Sequence, residues 1–180
     1  MTEAGGFPAT ERLRSGLEVT VRPLRVDDRD KVANAVRHLD RDSVYTRLFS
    51  YRTALTEAGL DRIMRVDPER DEMLVVTIGA GARETVIASG RFIGDGNGGE
   101  RSAEIAFVVE EEYQGQGLAG RLLRHLAAIA RQRGLAALTA EVLAKNKAML
   151  TVFARSGLPM RRRQDGGVVH VTLLLQESTS

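Results

Sequence analysis

The chain has 180 residues, is 43% hydrophobic and contains no cysteine, which fits one globular domain around a single core. The missing thiols exclude a disulfide framework, a thiolate metal site and cysteine catalysis. Lysine and arginine number 26 against 24 acids, a net charge of +2 that is too balanced for wholesale nucleic-acid binding, and no window approaches the ~18 apolar residues of a membrane span.

Residues 1–16 mix glycine, threonine and charge without a period, so a flexible N-terminal segment is expected ahead of a domain over 17–180. The opening nine residues lack an apolar run and read as no signal peptide, so the expected location is cytoplasmic. Leu17-Glu18-Val19-Thr20-Val21-Arg22 alternates apolar with polar, the period of a half-buried strand, and stops at Pro23. Asp27-Asp28 then offers a cap to a helix over 29–39, where Val32, Ala35, Val36 and Leu39 recur at three- and four-residue spacing. A short helix is expected over 43–49, and another from Thr56 through Ile63 that Asp67-Pro68 closes.

Residues 73–78 and 85–93 are rich in β-branched side chains and flank a six-residue turn, so a hairpin is expected. The glycine-rich turn at 95–99 leads to a strand over 103–109, making an antiparallel meander of three. Gln114-Gly115-Gln116-Gly117-Leu118-Ala119-Gly120 then opens a helix that runs to about Arg133. On a wheel of ~100° per residue, Leu118, Ala119, Leu122, Leu123, Leu126, Ile129 and Ala130 share one arc of roughly 140°, the face that packs on a sheet. Arg121, Arg124 and Arg131 cluster on another side, where they meet phosphates or solvate the helix. A strand over 137–143, a helix over 146–156 ended by Gly157 and a closing hairpin of 158–163 and 168–175 about Gln164-Asp165-Gly166-Gly167 complete the chain.

A strand, a loop of bare amides and a helix N-terminus together make an anion site, although glycine-rich turns also occur without a ligand. The P-loop motif fails, because Leu118-Ala119 follow Gly117 where a lysine and a hydroxyl residue are required. A dinucleotide fingerprint belongs after the first strand of a βαβ unit, whereas this loop comes late in the chain. What fits is Gln/Arg-x-x-Gly-x-Gly/Ala, met by Gln114, Gly117 and Ala119. This segment resembles the pyrophosphate loop of the GNAT superfamily of acyl-CoA-dependent N-acyltransferases. Asn146 followed by Met149, Phe153 and Gly157 resembles that family's second motif, and the order of elements over 17–175 matches its fold. The resemblance implies an α/β fold with a mixed, mostly antiparallel central sheet flanked by helices. Residues 42–49 and 103–109 are similar to bacterial Pat-like protein-lysine acetyltransferases, which modify acyl-CoA synthetases.

The resemblance implies acetyl-CoA as co-substrate; no metal, nucleic-acid or membrane partner is expected. The implied acceptor is a primary amine, most often in such relatives a protein lysine on an acyl-CoA synthetase. CoA would lie on the backbone of Phe107, Val108 and Val109 and on Gln114, Gly115, Gln116, Gly117, Leu118, Ala119 and Gly120, with Asn146 as helix cap, as ligand to the cofactor arm, or as both. A lysine of pKa ~10.4 must lose its proton before it attacks a thioester, a penalty of about 4.6 kcal/mol at pH 7 that a nearby carboxylate offsets as general base. Glu104, the one acid on an otherwise apolar strand, reads by itself as an ordinary solvated strand glutamate or as such a base; by the resemblance it matches the glutamate that Pat-like enzymes use. The thioester oxygen needs a positioned donor, for which the Val109 amide is named first. No nucleophile is implied, so transfer would be direct, in a ternary complex.

Phe153 departs from the family, since many members place a tyrosine there as general acid. Leu158 replaces the usual aromatic after glycine. Glu110-Glu111-Glu112 reads as a solvated turn, Tyr113 as a packing residue, Arg161-Arg162-Arg163 as solvated strand-end arginines or a patch for an acidic protein surface. His38, His125 and His170 lack metal spacing. Two rival functions remain open at this point: a small-molecule amine acetyltransferase of the same fold, and a non-catalytic acyl-CoA-binding sensor.

Overall fold

The computed structural model describes residues 6–38, 56–94 and 101–175, together with the backbone of 45–46 and 49–50. Its strands are β1 (Ala9–Arg12), β2 (Glu18–Pro23), β3 (Tyr45–Thr46), β4 (Phe49–Ser50), β5 (Asp71–Ile78), β6 (Thr85–Gly94), β7 (Ser102–Val109), β8 (Ala137–Leu143), β9 (Met160–Asp165) and β10 (Val168–Leu174). The helices are α1 (Arg29–Arg37), α2 (Glu57–Met64), α3 (Leu118–Gln132) and α4 (Lys147–Ala154). Eight strands form one sheet in the order β1-β2-β5-β6-β7-β8-β10-β9. Every neighbouring pair is antiparallel except β7 with β8. The mixed, mostly antiparallel sheet flanked by helices is the architecture expected from the sequence.

The back face is covered by α3, whose buried stripe of Leu118, Ala119, Leu122, Leu123, Leu126, Ile129 and Ala130 is the arc read from the sequence. Burying each large aliphatic side chain there contributes about 1.5–3 kcal/mol. The helix comes close because β6 has no side chain beneath it: a Cβ on Gly90 would lie 2.9 Å from Leu126 Cδ1 and 3.1 Å from Phe107 Cδ1. On the front face α1 packs against β6, burying Val32 and Val36.

The tie that secures this front layer is ionic. Arg22, 2% exposed on β2, makes a two-pronged bond to buried Asp28, at 2.8 Å for each prong. Its guanidinium also reaches Glu84 at 2.8 Å, which Lys31 of α1 contacts at 2.8 Å as well. Sheet, helix α1 and the β5–β6 turn are thereby joined at one point.

Three expectations change. The start of the chain is not uniformly loose, because residues 9–12 add β1 to the sheet edge and Leu13 is buried. What holds it is Glu11, which takes Arg124 and His125 at 3.2 Å each and Arg121 at 3.6 Å. Those helix arginines are engaged within the fold instead of at the loop: Arg121 and Arg124 anchor β1, with Arg124 still largely exposed, and exposed Arg131 donates to the Leu175 carbonyl at 2.9 Å. Where a helix is expected over 43–49, residues 45–46 and 49 instead belong to the short antiparallel pair β3–β4, Tyr45-Thr46 being better suited to a strand than to a helix; 43–44 and 47–48 lie outside the described residues. Helix α2 ends at Met64, one residue past the Ile63 expected from the sequence, because Arg65 is already extended. The turn expected at 95–99 lies outside the described residues.

Burial pushes the Asp28 carboxyl up, but the bonds from Arg22 and the Arg25 amide outweigh it and hold the group below its ordinary value. Hydrogen bonds from Arg22 and Lys31 hold Glu84 down at about 2. A carboxyl with a depressed folded pKa stabilises fully above its unfolded value and loses that contribution as pH falls through the folded one. Stability should therefore decline on acidification from about 4.5 toward about 2. Asp28→Ala, which takes from the buried Arg22 guanidinium its two-pronged partner and leaves it Glu84 as the remaining acid partner, should cost about 3 kcal/mol, read as a lower urea midpoint at pH 7; an unchanged midpoint would contradict this role for the cluster.

Candidate functional site

Strands β7 and β8 run parallel and pair only through Ser102↔Ala137, Ala103↔Leu138 and Glu104↔Thr139. Beyond that they part, while β7 continues to Val109 still paired with β6. The Glu110 amide donates to the Ile87 carbonyl at 2.9 Å. By the alternation of an antiparallel ladder, the amides of Ala106 and Val108 also turn toward β6, and those of Phe107 and Val109 turn toward the gap. A strip of β7 backbone with no β8 partner thus lines a wedge in the middle of the sheet.

The loop after β7 closes one end of that wedge. Gln114 donates its side-chain amide to the Val109 carbonyl at 3.2 Å, which ties the loop to the gap-facing edge of β7. Gly115 and Gly117 take left-handed φ values of +78° and +84°, a conformation that favours glycine. Gly117 caps α3 without any side-chain bond, leaving the first amides of the helix unsatisfied. Among the described residues, the amides of Gly115, Gln116 and Gly117 also make no hydrogen bond. A Cβ at 115, 117 or 120 would meet nothing within 4 Å. Leu118 and Ala119 bury their side chains in the core and can offer only their amides. Open space, bare amides and the positive end of a 15-residue helix suit a diphosphate, so these residues fit the cofactor that the resemblance implies. The Ser15 hydroxyl donates to the Gln116 side chain at 2.9 Å, a brace from the β1–β2 turn that sequence reasoning misses.

The glycines at 115, 117 and 120 do follow a strand and open the helix of a β–α–β unit, as dinucleotide loops do. The difference lies in the strands, which part here instead of staying paired.

Glu104 sits at the last paired position before the gap, half-buried and on the front face. It borders a cavity of about 340 Å³ shared with Thr139, Glu141, His170 and the arginines of β9. His170 Nδ1 stands 3.6 Å from Glu141 Oε1. Sequence reasoning names His170 only as lacking metal spacing and does not single out Thr139 or Glu141. Their signal is the polar residues at alternate positions, 139 and 141 on one strand and 170 and 172 on the other, which the hairpin register brings side by side.

Asn146 accepts from the Met149 amide at 3.1 Å and so caps α4, which leaves its Nδ2 for a second partner. Phe153 is 1% exposed and packs on Phe107 with ring centroids 6.1 Å apart. Tyr113 packs against the main core, and burial, then Glu112 and Glu110, push its phenol up. Glu111 and Glu112 are exposed, whereas burial raises the pKa of Glu110. Among the described residues no group of side chains could hold a metal ion, and no helix is long and apolar enough to cross a membrane.

The sequence profile of the acetyltransferase (GNAT) family matches residues 36–158. Acetyltransferase Pat of Mycolicibacterium smegmatis is 32% identical over 162 residues, which cover 90% of this chain and 47% of Pat; the chain thus spans about half the length of that relative. Acetyltransferase PA5475 of Pseudomonas aeruginosa is 28% identical over 165 residues, covering 89% of this chain and 86% of the relative. Among solved structures, the GNAT domain of S. lividans PAT superposes with a TM-score of 0.79 at 34% identity, covering 92% of this chain and 96% of that one. The same fold recurs at lower identity in Mycobacterium smegmatis RimJ, solved with CoA-disulfide (18% identity, TM-score 0.69), and in the PaiA N-acetyltransferase of Thermoplasma acidophilum, solved with coenzyme A (14% identity, TM-score 0.64). The chain belongs to the acetyltransferase (GNAT) family.

Proposed function

We propose that this protein is an acetyl-CoA-dependent N-acetyltransferase that modifies a protein lysine by direct attack in a ternary complex. The observation that carries the reading is the junction of three features: a wedge lined by β7 amides that β8 leaves unpaired, an amide-rich loop at one end of it, and a carboxylate at the apex. Likeness to the Pat proteins supports a lysine acceptor, with an acyl-CoA synthetase as the expected protein partner.

Bound acetyl-CoA would supply an activated acetyl thioester, and the remaining demands fall on this chain. Gly115 to Gly120 hold the diphosphate through backbone amides, and the free edge of β7 pairs with the pantetheine arm. The amides of Phe107 and Val109 face the place where the thioester oxygen gains charge and donate to it. Glu104 accepts the proton of the lysine ammonium. It lies three residues from Phe107, about 10 Å along the strand, which leaves room for the amine and one bridging water in the proton path. Phe153, buried against Phe107, offers no proton, so when the thioester C–S bond breaks CoA would leave as the thiolate and take its proton from water; the chain contributes a base and amide donors.

Glu104→Gln should leave acetyl-CoA affinity near wild type and lower the transfer rate by about 100-fold or more, measured by calorimetry and a thiol-release assay. Transfer at the wild-type rate would remove Glu104 from the base role. Gly117→Glu should abolish CoA binding. Because that change also strains a left-handed residue, Gly120→Glu is the cleaner probe: an acid in the first turn favours the helix, so stability should hold while CoA affinity falls at least about tenfold. Retained affinity in both variants would refute the loop as the phosphate site. Labelled acetyl-CoA offered with acyl-CoA synthetases should mark a lysine, whereas turnover confined to polyamines or aminoglycosides would overturn the protein-acceptor reading.

A further inference from the structure

Registers across the front face place charge in a defined order. Glu104 pairs with Thr139, Thr139 with Thr172, and Thr172 with Arg161, one row crossing β7, β8, β10 and β9. In the next row Glu141 pairs with His170, and His170 with Arg163. Strands are spaced about 4.8 Å apart, so Arg161 lies about 14 Å from Glu104 across the sheet. Carboxylates thus occupy the inner strands and guanidinium groups the outer edge, along one open cavity of about 340 Å³.

Strand β9 is exposed almost throughout and ends the sheet. The side chains of Arg161 and Arg163 make no hydrogen bond or ion pair among the described residues. Edge strands often carry charge simply to deter aggregation, and any charge serves that purpose. Two same-sign residues on the face shared with the base, bonded to no acid among the described residues, serve a further one. A lysine presented at Glu104 brings flanking residues over β8, β10 and β9. At about 3.4 Å of rise per extended residue, a span of about 14 Å is crossed in about four residues.

We propose that Arg161 and Arg163 dock an acidic side chain of the acceptor, making this transferase selective for lysines with an aspartate or glutamate about four residues away. The inference rests on the protein-lysine reading and specifies its substrate class. The inner acids receive the cationic amine while the outer arginines hold the acidic flank, so one peptide satisfies both ends of the gradient. Exposed pairs are individually weak, and two of them together amount to a selectivity of about tenfold.

The test compares three synthetic peptides sharing one central lysine, with glutamate, alanine or arginine placed four residues to either side, acetylated by the full chain. Wild type should show kcat/KM for the glutamate peptide about tenfold above the alanine peptide and higher still above the arginine peptide, chiefly through KM, and the preference should shrink in about 0.5 M salt. Arg161→Ala/Arg163→Ala should bring the glutamate-to-alanine ratio to about one, and Arg161→Glu/Arg163→Glu should reverse the order of the glutamate and arginine peptides. Circular dichroism melting checks that both variants fold. Equal kcat/KM for all three peptides in wild type, or an unchanged ratio in folded variants, overturns the docking role while leaving the lysine reading intact. No acetylation of any peptide or protein, with small amines still turned over, overturns both.

Discussion

Two neighbouring strands that pair for three residues and then part govern everything that acts in this protein. A sheet normally satisfies each backbone amide with its neighbour. Where β7 leaves β8 after Glu104 and Thr139, that satisfaction ends and the Phe107 and Val109 amides are left without a β8 partner. Such a gap would weaken an isolated sheet. It persists because the layers on both sides are secured independently of it: β7 remains paired with β6 along its length, and β8 remains paired with β10.

The securing forces differ between the two faces. Behind the sheet, α3 presses an apolar stripe onto β6 and β7, helped by the missing side chain at Gly90. In front, the Arg22, Asp28 and Glu84 cluster fixes α1 against β2 and the β5–β6 turn. The cavity beside Glu104 is instead bordered by polar side chains of β8, β10 and β9. Chemistry and acceptor access therefore share the part of the front face beside β8, β10 and β9, away from the apolar contacts of α1.

Most of the architecture is legible in the sequence because the strong signals are local. Alternation in β2, the threefold and fourfold spacing of α1 and α3, and the turn chemistry of the closing hairpin each identify an element without tertiary information. Misreadings arise where a partner distant in sequence decides the outcome. Nothing in Ala9-Thr10-Glu11-Arg12 announces a strand, since its anchor, Glu11, finds Arg124 and His125 more than a hundred residues away. The same pairing explains why helix arginines that suggest phosphate or solvent are occupied elsewhere. In the site, Glu104 and the glycine loop are visible as motifs, but the Gln114 brace on Val109 and the row from Glu104 to Arg161 emerge only once strand register is known. Phe153, a missing acid by motif, is by packing a core residue set against Phe107.

The proposed chemistry requires CoA to lie along the β7 edge with its diphosphate on the loop. Titrating ¹⁵N-labelled protein with CoA while following backbone amide resonances tests this directly. Saturable shifts are predicted at Gly115, Gln116, Gly117, Phe107 and Val109, with Val169 and Leu173 in the buried part of β10 unmoved. Saturable shifts elsewhere, with these five amides silent, would contradict it.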